Sequence, residues 1–132
     1  MRKINKIIIH CSATPEGRPV SVKDIDRWHR DRGFSKIGYH WVVCLDGHVW
    51  SGRDEEIAGA HTVGQNANSI GVCYIGGVDN NMKPKDTRTE YQKVGLRMLV
   101  QDLLKKYPGA TVHGHNEFAA KACPSFNVKT EL

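Results

Sequence analysis

"KIIIHCSAT", Lys6 to Thr14, sets three consecutive β-branched isoleucines before a histidine, a cysteine and a run of turn-forming residues. An apolar run of this kind reads as a buried strand that gives way to a loop. His10 then stands at the strand's C-terminal end, the edge of an α/β sheet where ligands and chemistry gather. Its neighbour Cys11 points to the opposite side of the strand, which makes it a packing residue.

Working outward, Ser21 and Asp24 form an S-x-x-D cap, and Ile25, Trp28 and Arg32 follow at helical spacing until Gly33, which predicts a first helix over 22–32. His29 is expected on its solvated surface. "GYHWVVCLDGHVWSG" reads as two strands joined at Asp46-Gly47, a pair favoured in tight primed turns. Alternation there places Tyr39, Trp41 and Val43 on one face and His40, Val42 and Cys44 on the other. "IGVCYIGG" is a further buried strand. Thr87 and Glu90 make a T-x-x-E capping box, and Leu96, Leu99, Leu103 and Tyr107 mark an amphipathic helix despite Gly95, ended by Pro108 and Gly109. "ATVHGH" is a short strand, followed by a loop with one helical turn at Glu117 to Ala120. The order strand, helix, hairpin, strand, helix, strand predicts an α/β fold: one domain over 1–132, with a mixed central β-sheet of about five strands flanked by helices.

Composition agrees with that picture. The chain has 132 residues, 39% hydrophobic and 25% charged, enough for one hydrophobic core and unlike a disordered chain. A formal charge of +5 favours anionic partners, whether nucleic acid, acidic polysaccharide or cell-wall polymer. The basic residues are scattered and form no zinc-finger or RNA-binding motif, which argues against nucleic acid. The N-terminus "MRKINKIIIHCSAT" offers an unbroken apolar run of only three residues, "III", before His10, short of the 7 to 15 of an export signal, and no run reaches the roughly 18 of a membrane span. The expectation is cytoplasmic synthesis without membrane insertion. Cys11, Cys44, Cys73 and Cys123 form no C-x-x-C pair, so no disulfide framework is expected.

The chemistry-bearing residues cluster late in the chain. "GHNEFAAKACPSF", Gly114 to Phe126, holds His115, Lys121 and Cys123 within nine residues. Zinc sites that do chemistry use three protein ligands and keep a fourth position open. His10, one of His113 and His115, and Cys123 would make such a set; alternation leaves the two later histidines on the same side and the choice between them open.

"HCSAT", "GYHWVV", "GRDEEIAGAH", "NANSIGVCYIGG" and "KACPSF" follow one another in the order found in zinc-dependent N-acetylmuramoyl-L-alanine amidases. From Ile7 to Phe126 the chain resembles this family, especially the phage lysozymes of the bacteriophage T-seven type and, more broadly, the peptidoglycan recognition proteins. The resemblance implies one Zn2+ per chain bound by His10, His115 and Cys123, with Tyr39 and Lys121 assisting catalysis. It selects His115 because the family's second histidine lies eight residues before the cysteine, and it leaves His113 a structural or supporting role. His40, His61 and Asn68, which lie in the shared motifs, are expected to contact sugar or peptide. The implied reaction is hydrolysis of the bond between N-acetylmuramic acid and L-alanine in peptidoglycan. The setting is a phage or prophage endolysin that acts as a monomer on the wall after release. The alternatives are a cytosolic muropeptide-recycling amidase and a non-catalytic recognition module, and the phage likeness alone brings in a contact with phage RNA polymerase.

The implied roles are chemically coherent. A metal keeps Cys123 as thiolate, whereas a free cysteine of pKa ~8.5 is mostly thiol at neutral pH. Zinc lowers the pKa of water from about 15.7 towards ~7. Lys121 and Cys123, two residues apart in an extended stretch, project to the same side about 6 to 7 Å apart, so the ammonium reaches an oxyanion without displacing the metal. A tyrosine of reference pKa ~10 is a poor base, so Tyr39 is read as a hydrogen-bonding residue.

Overall fold

A computed structural model describes residues 2–132; Met1, the first residue of the expected domain, lies outside them. The isoleucine run forms β1 (Lys6–Cys11), and Thr14–Pro15 forms the two-residue β2. The helix α1 (Val22–Asp31) follows, then β3 (Trp41–Val43), β4 (Val49–Ser51), β5 (Ser69–Tyr74) and β6 (Gly77–Val78). The chain ends with α2 (Glu90–Lys106), β7 (Thr111–Gly114) and α3 (Val128–Glu131). The expected mixed five-stranded sheet is present in the order β4-β3-β5-β1-β7, while β2 and β6 pair separately. β1 runs parallel to β5 and β7, β3 runs parallel to β5, and only the edge strand β4 is antiparallel.

Central β1 is inaccessible along Ile7, Ile8 and Ile9, because helices cover both sheet faces. On one face Ile7, Ile9, Val72 and Tyr74 pack with Leu96, Val100 and Leu103 of α2. On the other, Val42 and Ile75 pack with Ile25 of α1 and with Val20 and Ile37. By the two-residue period of the strand, His10 projects to the α1 side.

Several local expectations are corrected. The α2 capping box is Thr89 with Gln92, two residues later than the box read from Thr87 and Glu90. Thr87 is already engaged, its Oγ1 accepting the Gly77 N–H at 2.8 Å. His29 is buried rather than solvated, and its Nδ1 accepts the Gly38 N–H at 2.8 Å, because the segment after α1 folds back over it. The hairpin closes through Cys44 and His48 around three residues, with Gly47 at φ 85°, rather than through a two-residue turn.

That hairpin tip also accounts for Gly95 in mid-helix: a Cβ there would come 2.5 Å from the Gly47 carbonyl oxygen. Tyr39 packs with Val42 and Cys44, not with Trp41 and Val43, because regular alternation begins only at Trp41. The single helical turn expected at Glu117 to Ala120 is a 3-10 turn at His115–Glu117.

Candidate active site

Strand register brings two of the candidate ligands together. Ile9 of β1 pairs with Gly114 of β7, so the next residues along the parallel ladder, His10 and His115, are neighbours. Their ring centroids lie 4.5 Å apart. The third group arrives from a loop. Cys123 Sγ accepts the Cys11 N–H at 3.2 Å and lies 3.9 Å from His10 Nδ1. Two anchors hold that loop to the sheet: Tyr74 donates its hydroxyl to Pro124 O at 2.6 Å, and Ser125 donates to Gly77 O at 2.8 Å.

One ligand atom from each of His10, His115 and Cys123 falls within 4.8 Å of the others. His113 is directed elsewhere, its Nδ1 2.8 Å from Glu117 Oε1 and its Nε2 2.6 Å from Thr111 Oγ1. Of the two later histidines, His115 is the one that lies beside His10 and Cys123.

The electrostatics suit a cation-binding set. Burial holds His10 well below the ordinary imidazole range, reinforced by His61, His115 and the charge of Lys121. Burial and Lys121 also lower His115. Both rings are therefore neutral and carry a lone pair. The hydrogen bond between the Cys11 and Cys123 side chains, together with burial, pushes the Cys123 thiol up, so a positive ion is needed to stabilise its anion. Two imidazole nitrogens and one sulfur are donors that zinc accepts at about 2.0 to 2.3 Å. These residues fit zinc.

Tyr39 borders the cluster, its ring 5.1 Å from that of His10. Burial first, and then the nearby cysteines, raise its phenol well above the ordinary range. Lys121 is exposed, yet its charge registers on both imidazoles. His61 is drawn in behind the cluster, its Nδ1 2.9 Å from His10 Nε2.

His40 and Asn68 are not brought to the cluster. His40 is fully buried; its Nδ1 accepts the Gly71 N–H at 3.0 Å and its Nε2 donates to Ile57 O at 2.8 Å. Asn68 lies just before the N-terminal end of β5 and donates to Lys3 O at 2.8 Å. Sequence reasoning missed Thr62, whose hydroxyl lies 3.3 Å from His10 Nε2, and Asn66, whose Oδ1 accepts the N–H groups of both His61 and Thr62. No spacing motif marks either. A groove of about 760 Å³ between Val20, Cys44, Leu45 and Trp50 shares no residue with the cluster. Donor chemistry, not cavity size, locates this site.

Residues 1–126 match the family model described as N-acetylmuramoyl-L-alanine amidase. The chain belongs to that family. The enzyme class anticipated from sequence is thus borne out, and the family is generally zinc-dependent. This amidase is 46% identical over 123 residues to the endolysin of Escherichia phage T7, a match covering 93% of this chain and 82% of that one. It is 30% identical over 115 residues to peptidoglycan-recognition protein SC2 of Drosophila simulans, covering 84% of this chain and 60% of that one. Among solved structures, the amidase LysC from Clostridium intestinale superposes with a TM-score of 0.85 at 29% identity, covering 98% of this chain and 82% of LysC.

Proposed function

We propose that this amidase, acting as a phage or prophage endolysin, binds one zinc ion through His10, His115 and Cys123 and hydrolyses the amide between N-acetylmuramic acid and L-alanine of peptidoglycan. The observation that carries the proposal is the convergence of three zinc-type donors within 4.8 Å. Zinc, when bound, supplies Lewis acidity and acidifies water towards neutral pH.

The protein's own groups supply the rest. The carbonyl oxygen under attack gains negative charge, and donors that meet it more strongly in the transition state than in the ground state lower the barrier. Lys121 serves there as an ammonium. Tyr39 stays protonated because burial raises its phenol, so it donates a hydrogen bond and does not remove a proton. His10 and His115, neutral through burial, keep their lone pairs for the ion. The chain works as a monomer, is made in the cytoplasm and acts on the wall after release. Among the described residues, no helix is long and apolar enough to cross a membrane.

The test is metal content paired with product analysis. Chelation is expected to abolish release of stem peptide from purified sacculi and added zinc to restore it, with mass spectrometry showing a new L-alanine amino terminus. Full activity in a verified metal-free sample would overturn the reading. Cleavage of small muropeptides with intact sacculi untouched would replace the endolysin role by recycling.

A further inference from the structure

His10 has two ring nitrogens with different surroundings. Nδ1 faces the sulfur of Cys123 at 3.9 Å, while Nε2 faces inward, 2.9 Å from His61 Nδ1 and 3.3 Å from Thr62 Oγ1. A neutral imidazole carries one N–H, and a nitrogen that binds metal must keep its lone pair. If His10 serves the cluster through Nδ1, its proton sits on Nε2 and needs an acceptor. His61 Nδ1 is that acceptor only when His61 carries its own proton on Nε2, and Ser69 Oγ lies 3.3 Å from that nitrogen. The Thr62 hydroxyl, 2.9 Å from His61 Nδ1, closes the group. The opposite tautomer of His61 would aim an N–H at His10 Nε2, leaving the His10 proton on the side facing Cys123.

The surroundings hold His61 in this place. A Cβ at Gly71 would lie 2.5 Å from its Cδ2, and one at Gly59 would lie 2.6 Å from the same atom, so both glycines leave room for the ring. The N–H groups of His61 and Thr62 both donate to Asn66 Oδ1, at 2.9 and 3.0 Å, which fixes the backbone under the ring. Both ring nitrogens of His61 are directed at protein partners.

We propose that His61 is a positioning residue of the metal centre: by accepting the His10 Nε2 proton it fixes the tautomer and direction of that ligand, in place of the sugar or peptide contact its motif suggested. This role rests on the reading of His10, His115 and Cys123 as the zinc site. Groups that orient a metal-bound histidine in this way typically change metal affinity or activity 10- to 100-fold when removed.

The experiment compares two variants of nearly equal shape, His61→Asn and His61→Leu, of which only the first keeps an acceptor near the Nδ1 position. Zinc dissociation constants are measured by chelator competition on the unaltered protein, both variants and Cys123→Ala, with circular dichroism of each. The expected result is a weakening of about 10- to 100-fold in His61→Leu, with His61→Asn retaining most of the affinity. Equal zinc affinity in the two variants overturns the proposal, including the case of unchanged affinity with a raised KM, which would return His61 to the substrate. If the unaltered protein binds no zinc, or Cys123→Ala binds it as tightly, the metal site itself fails and this role falls with it.

Discussion

Cys123 and Lys121 sit two positions apart, yet their surroundings divide their roles: the sulfur is tied to the Cys11 N–H, while the ammonium stands in solvent. Cys123→Ala is expected to lose tight zinc binding and hydrolysis while the circular dichroism spectrum stays native. Lys121→Ala is expected to keep its zinc and lose about 100-fold or more in kcat, the scale of removing one oxyanion donor. Equal metal loss in the two variants would show that these roles are misassigned. His10 was legible because an isoleucine run ended beside it, and Cys123 because it shares the "KACPSF" motif with a family. His29 and His61 were not. Whether a histidine is covered or shares its proton depends on groups outside its own element, here Gly38 for His29 and His10, 51 residues away, for His61, and periodicity carries no record of them.

At the scale of elements, Gln92 joins α2 to the sheet. Its Oε1 accepts the Thr89 N–H at 2.9 Å, and its Nε2 donates to Ile75 O at 2.9 Å and Val43 O at 3.3 Å, all from a fully buried position. Gln92→Ala removes half of a capping box and takes this donor from two carbonyls, of which Val43 O keeps the Ile75 N–H, a loss of about 2 to 4 kcal/mol. Urea unfolding of the variant measures it, and a loss below about 0.5 kcal/mol, the scale of an ordinary surface substitution, would contradict the account. Zinc affinity should not change, because α2 packs on the sheet face opposite His10. The helix itself was plain from its leucine spacing. Its cap was displaced by two residues in the sequence reading because Thr87-x-x-Glu90 and Thr89-x-x-Gln92 satisfy the same pattern; the tertiary bond from Gly77 to Thr87 decides between them. Likewise the strand pattern carried Tyr39 to the wrong face, since nothing local shows that regular pairing starts at Trp41.

Across the whole molecule, burial of neutral imidazoles makes the zinc-free protein sensitive to acid. His10 lies well below the ordinary range, and burial, with His40 and His115 adding to it, takes His61 to about 3. An unfolded chain protonates its histidines near ~6.5. Above that value neither state takes up these protons and the two groups contribute no pH dependence. Below it the unfolded chain binds protons that the folded chain refuses, so stability falls as pH falls. From pH 7 to 5 His61 alone accounts for a loss of roughly 2 kcal/mol, and His10 adds to it in the same direction. Chemical denaturation of the zinc-free protein at both values checks this, and a midpoint independent of pH would contradict it.

The sulfur that completes the cluster stands 113 positions after His10 and is held by bonds from Tyr74 and Ser125. Synthesis must therefore pass Cys123 before the three side chains can meet. A chain that stops short of that point holds the two imidazoles without the sulfur.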